Sequence, residues 1–269
     1  MTKDLQSEQQ KYVDYIERIN GGAASRLTWE DLYAILDHLT EGVPNIIQPI
    51  KTSNSLLRGR IIEKDSLNRV EQLSYPPNKL CLSYGRCNKP NLPVCYAGIG
   101  YELIFSELGA QEGDYVGIAG LRPTEDLFFL RLGALDIWRR TSGNCLLPDA
   151  VKQQIKEIHA DPKNIVAFIL DAFISDWFSK KGNSVTYKLT SAYTSVLFNT
   201  YQELSGIIYD SVNHTKGSCI SIKDTAFDNY FSFTEFQVVK IKSYLGYGIY
   251  DWELIQSAKD TKEGFICWE

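Results

Sequence analysis

Histidine and methionine are scarce: 3 His and 1 Met among 269 residues. His38, His159 and His214 share no metal-ligand spacing, so neither a structural zinc site nor any other metal is expected. The six cysteines, Cys81, Cys87, Cys95, Cys145, Cys219 and Cys267, include no Cys-x-x-Cys pair. Single cysteines scattered along a chain of this length point to reduced thiols in a cytosol rather than to a disulfide framework. No apolar run approaches the roughly 18 residues that a membrane-spanning helix needs. The first ten residues are polar and lack the apolar stretch of a secretory leader, so a cytoplasmic site of action is expected. Positive charge is short as well. Lys and Arg total 28 against 33 Asp and Glu, giving a formal net charge of −5 and a pI near 5.4. That balance argues against a general binder of nucleic acid or membrane surfaces. There is no internal repeat, no low-complexity segment and no Gly-x-Gly-x-x-Gly turn after a strand, so a hydride-transferring dinucleotide fold is not expected.

What is present is a 44% hydrophobic chain, enough for one large domain or a domain with an appendage. Residues 6–21 read as a polar helix with a thin stripe of Tyr12, Tyr15, Ile16 and Ile19. Thr28 caps a second helix, with Glu30 and Asp31 in its first turn and Leu32, Ile35, Leu36 and Leu39 as its stripe. Together they suggest an N-terminal helical appendage over residues 1–50 and a main domain over 51–269. Strands are expected at 56–62, 94–97, 115–121, 127–130, 206–212 and 217–222. Helices are expected at 101–108, 149–160, 163–179 and 187–198. More strand-like runs follow at 238–245 and 248–252, and Trp138, Arg139 and Arg140 read as a surface cluster.

The chain is organised around residues 85–109, which read as turn, strand, turn, helix. Pro90, Asn91 and Pro93 break regular structure before the strand, Gly98 and Gly100 end it, and Gly109 sits where a left-handed helix cap is common. At about 100° per residue, Tyr101, Leu103, Ile104, Phe105 and Leu108 form a broad apolar arc. Glu107 falls inside that arc. It is either a flank residue whose carboxylate reaches water, or a carboxylate set in a cleft with Arg86 and Tyr96 close by. Upstream, Arg58 and Arg60 sit two apart on a strand and share one face. They form either a solvated edge or an anion clamp, because guanidinium forks match phosphate oxygens. Ser211 ends the strand that starts at Gly206. His214 follows it, but no Gly-x-Ser-x-Gly elbow supports a Ser–His triad.

The ordered series Leu57-Arg58-Gly59-Arg60, Gly85-Arg86-x-Asn88, Pro93-Val94-x-Tyr96, Glu107, Tyr187-Lys188-Leu189-Thr190 and Gly206-Ile207-Ile208-Tyr209-Asp210-Ser211-Val212 resembles the core of the RES-domain proteins, named for an arginine, a glutamate and a serine. The resemblance covers roughly residues 55–225. Asn91 stands where the family usually has glycine, and Ile104 where it often has a small residue. The resemblance implies an α+β fold: a mixed, mostly antiparallel β core of ADP-ribosyltransferase-like type with surrounding helices. It also implies an NAD-degrading, toxin-type enzyme that splits the nicotinamide–ribose bond by phosphorolysis or hydrolysis, with NAD as substrate and inorganic phosphate as a second reactant. Arg86, Glu107 and Ser211 would be catalytic. Arg58, Arg60 and Tyr96 would bind the dinucleotide. A cognate antitoxin or immunity protein would be the partner, with no nucleic acid and no membrane involved. The alternatives are a protein ADP-ribosyltransferase and a non-catalytic nucleotide-binding or interaction module.

Overall fold

Side-chain alternation along one strand decides what the sheet carries on each face. A computed structural model describes residues 3–214 and 217–269. Its helices are α1 (Lys3–Arg18), α2 (Ala24–Arg26), α3 (Trp29–Thr40), α4 (Tyr101–Leu108), α5 (Ala134–Arg140), α6 (Asp149–Ala160), α7 (Ile165–Ser179), α8 (Ser184–Thr200) and α9 (Asp224–Tyr230). Its strands are β1 (Ile47–Ile50), β2 (Leu56–Ile62), β3 (Val94–Gly98), β4 (Tyr115–Pro123), β5 (Leu127–Arg131), β6 (Gly206–Asp210), β7 (Ser218–Lys223), β8 (Phe231–Gly246), β9 (Ile249–Ala258), β10 (Thr261–Lys262) and β11 (Phe265–Ile266). The chain is therefore α+β, with mixed and mostly antiparallel strand pairing. None of the described helices is long and apolar enough to cross a membrane. The six cysteines are free thiols.

The chain divides into two compact units. The sheet unit gathers Pro49–Cys81, Asn91–Leu127 and Asp210–Glu269. Within it the strand order is β7-β3-β2-β4-β8-β9, each neighbour antiparallel. Leu57 lies opposite Gly98 on one side and Gly120 on the other, and Gly59 lies opposite Ile118. Residues directly opposite in antiparallel strands share a face. On this face Leu57, Val116, Ile118, Val239 and Ile241 pack with Ile104 and Phe105 of α4. The other face carries Ala119, Phe236, Val238 and Ala258 against Leu67, Leu73 and Ile266.

Helix α4 approaches the sheet very closely. A Cβ at Gly59 would collide with Cγ2 of Ile104, and one at Gly98 would sit 2.6 Å from Cδ2 of Leu103. Gly109 adopts φ 63°, ψ 34° and ends the helix, its N–H reaching the carbonyls of Phe105 and Ser106, as the left-handed cap requires. Asn91 also takes φ 63°, so asparagine supplies the left-handed turn where the resembled family has glycine.

The helical unit gathers Met1–Gln48, Leu82–Pro90 and Phe128–Tyr209. Its strands β5 and β6 pair in parallel. The expected boundary at residue 50 does not mark a separate appendage. The stripe of α3 buries Trp29, Leu32, Leu36 and Leu39, and α3 packs on α8. Trp29 Nε1 donates to Ser191 Oγ at 3.2 Å, and Trp177 Nε1 donates to Asn20 Oδ1 at 3.1 Å. The Thr28 cap is a full capping box with Asp31. Two short helices, α5 and α9, were not legible in the sequence. Arg139 and Arg140, read as a surface cluster, close the last turn of α5 and pair with Asp136 at 2.9 and 2.8 Å.

Helix α5 begins without a local side-chain cap. Asp171 on α7 serves instead, accepting from the N–H of Gly133 at 2.9 Å and of Asp136 at 3.0 Å. Burial pushes this carboxyl up to about 6, and the backbone N–H groups pull it partly back. The folded value lies above the unfolded one, so the native state holds a proton that the unfolded chain has lost between roughly pH 4 and pH 6. Stability should therefore fall as pH rises through that window and level off above it. Asp171 keeps a fraction of its surface open, so the fall should be at most about 3 kcal/mol. Denaturant unfolding of wild type and Asp171→Asn from pH 4 to 7 checks this: the wild-type advantage should shrink toward pH 6, and a difference independent of pH contradicts it.

Candidate functional site

Three of the six expected site residues belong to the α4 side of the sheet unit. Tyr96 lies opposite Ser221 and two residues from Gly98, so its side chain shares the face that α4 covers. Glu107, on the last turn of α4, is exposed. It is the flank carboxylate of the two sequence readings, yet it is held. Ser211 Oγ donates a short hydrogen bond to Glu107 Oε1, joining residues 104 positions apart. Ser211 Oγ in turn accepts from the main-chain N–H of Asn213 at 3.1 Å and of His214 at 2.8 Å. A hydroxyl has one proton and two lone pairs, so all three capacities of Ser211 are engaged. Its own N–H donates to the carbonyl of Gly217 at 2.8 Å.

Arg58 and Arg60 do share a face, as alternation requires, but it is the opposite face of β2. Leu57 and Gly59 point to α4, so Arg58 and Arg60 point away from it. Arg58 Nη1 donates to the main-chain carbonyl of Tyr96 at 3.0 Å, and Arg60 Nη1 to that of Gln72 at 3.3 Å. The pleat thus sends both arginines to the side away from Glu107 and Ser211. Arg58 Nε is buried with no hydrogen-bond partner among the described residues. Near it lies Cys95, whose thiol burial pushes up to about 11 despite the opposing pull of the Arg58 cation. A thiol held that high is no nucleophile at neutral pH.

Arg86 belongs to the helical unit. Its guanidinium caps the end of α7, donating through Nη1 to the carbonyl of Phe178 and through Nη2 to that of Lys180 at 3.1 Å. Its Cζ lies 5.6 Å from the Tyr187 ring centre and 6.0 Å from that of Tyr209. Tyr209 packs edge-on against Phe178 at 5.3 Å. Three segments of the resemblance, around 86, 187 and 209, therefore meet at one cation. Ser106, buried beside Glu107, went unnoticed as a site component in the sequence, and His214, weighed there only as a triad base, instead holds Ser211 Oγ through its main-chain N–H. A buried serine in a helix and a histidine in a turn carry no pattern that marks them. No family model, curated protein or solved structure matches the chain.

The Arg86 geometry makes a prediction. Hydrogen bonds from a charged donor contribute roughly 1.5–3 kcal/mol each, so Arg86→Ala should cost about 3 kcal/mol or more. Arg86→Lys can restore one of the two carbonyl contacts and should recover only part of that loss. Urea midpoints of both variants measure it. A wild-type midpoint for Arg86→Ala would remove Arg86 from the scaffold and return its fork to a ligand.

Proposed function

We propose that the chain consumes NAD, cleaving the nicotinamide–ribose bond by phosphorolysis or hydrolysis, as a RES-like enzyme of ADP-ribosyltransferase-like fold. The observation that carries the reading is the Ser211–Glu107 hydrogen bond. The resemblance names a glutamate and a serine far apart in the chain as partners in one site, and these two residues meet. Tyr96 on the same sheet face supplies an aromatic ring for a flat ligand.

In this reading Glu107 stabilises the positive charge that builds on the ribose as the glycosidic bond breaks. Ser211 fixes the Oε1 atom of that carboxylate rather than acting as a nucleophile, since its proton and both lone pairs are already used. Arg86 has its role in the resembled motif through shaping the aromatic cluster of the helical unit. Arg58 and Arg60 would reach an anion only from the other face of β2. A toxin of this kind acts in a cytoplasm and is neutralised by a cognate antitoxin or immunity protein, which is the partner the reading implies. A protein ADP-ribosyltransferase is the competing outcome: labelled NAD would then leave its label on protein instead of on small products.

Purified protein incubated with NAD, with and without inorganic phosphate, should release nicotinamide, and mass spectrometry of the co-product names the acceptor. NAD left intact for hours at micromolar protein in both buffers refutes the enzymatic reading. Glu107→Gln keeps the acceptor for Ser211 but removes the charge. Turnover should fall by about 10²-fold or more with little change in KM, because the lost interaction exists only in the transition state. The melting temperature should hold, because the carboxylate is exposed and its hydrogen bond survives. A Gln variant that keeps wild-type turnover, or that simply melts early while staying active when folded, rules out the catalytic assignment.

A further inference from the structure

The main-chain N–H that grips Ser211 most closely belongs to His214, and the His214 side chain is clamped. A Cβ at Gly217 would lie 3.0 Å from its Nδ1, and a Cβ at Gly248 would lie 2.9 Å from its Cδ2. The ring therefore fills the space that a side chain at either position would need. Its Nδ1 is buried with no hydrogen-bond partner among the described residues. Beneath this contact lies Ser106, 3.6 Å from the position of that Cβ at Gly248, its Oγ also buried and without a partner. Gly248 is fixed from its own hairpin, its N–H donating to the Tyr244 hydroxyl at 3.3 Å. Gly246, Tyr247 and Gly248 all take positive φ, 91°, 56° and 79°, so the β8–β9 tip turns tightly there.

We propose that His214 is a positioning residue for the Glu107–Ser211 pair. Its ring, seated between Gly217 and the β8–β9 tip at Gly248, holds the 211–214 turn so that the His214 N–H bonds Ser211 Oγ and aims the hydroxyl at Glu107. The proposal deepens the NAD-cleaving reading and rests on it for its kinetic arm alone.

Amide hydrogen exchange tests the structural arm without substrate. In His214→Ala the amides of residues 213 and 214 should exchange about tenfold faster, since an unseated turn opens locally. In the kinetic arm, turnover of NAD should fall about tenfold with KM within about twofold, because Glu107 is mis-aimed rather than removed. The pH–rate profile should drop in height and keep its shape. A lost limb near the ordinary histidine value of about 6.5 would instead make His214 a proton carrier and overturn the proposal. Wild-type exchange in His214→Ala overturns the proposal. If wild-type protein leaves NAD intact, the NAD reading falls by itself, and the exchange rates still decide whether His214 sets the Ser211 turn.

Discussion

Everything on the α4 face of the sheet depends on how near that helix lies to it. That closeness exists because two positions beneath it have no side chain. Gly59 on β2 gives Ile104 its place, and Gly98 on β3 gives Leu103 its place. Interiors pack to the density of organic crystals, so a methyl group at either site would have to lift the helix or displace those side chains. The resembled family often carries a small residue where this chain has Ile104. Here the extra volume is accommodated from below, by the glycine it meets. With the helix seated, the Gly109 cap ends it one turn later, and Glu107 stands on that last turn within reach of Ser211.

The same pleat that seats α4 separates the arginines from it. Side chains alternate along a strand, so a chain that places Leu57 and Gly59 under the helix must place Arg58 and Arg60 on the far face. There they brace main-chain carbonyls of Tyr96 and Gln72. Adjacency in the motif is thus not adjacency in the site. The 85–109 stretch shows this on a larger scale. Arg86 belongs to the helical unit and Glu107 to the sheet unit, although only a turn and one strand separate them in sequence.

Local signals were readable where a single residue type has one strong physical reason to be there. The Thr28 capping box, the bounds of α4, the Gly109 cap and the left-handed Asn91 all follow from backbone chemistry confined to a few residues. The strand over Leu56–Ile62 was equally plain from its composition. Helix α5 was not, because its cap, Asp171, comes from α7 and leaves no mark next to the helix start. The long β8–β9 hairpin was read only over 238–245 and 248–252, although its strands run Phe231–Gly246 and Ile249–Ala258. The division into units escaped sequence reading for a similar reason. Each unit is assembled from three separate segments, and the apolar stripe of α3 does not say that α8 is what it packs on. Of the candidate site, the pairing of Glu107 with Ser211 came from the resemblance; composition and periodicity carried no trace of it.

An exposed carboxylate is normally free to sample many rotamers, and fixing it costs side-chain entropy of up to roughly 2 kcal/mol. Glu107 is exposed but tied through Oε1 to a hydroxyl that is itself tied twice to the main chain. The tether orders the carboxylate without burying it. In the proposed reaction, a carboxylate aimed in advance would meet the developing cation with its orientation cost already met in folding. A purely structural carboxylate would gain more from a buried arginine or lysine. The described salt bridges include none at Glu107. What Glu107 has instead is a serine with no spare hydrogen-bonding capacity, an arrangement that orients one oxygen of the carboxylate.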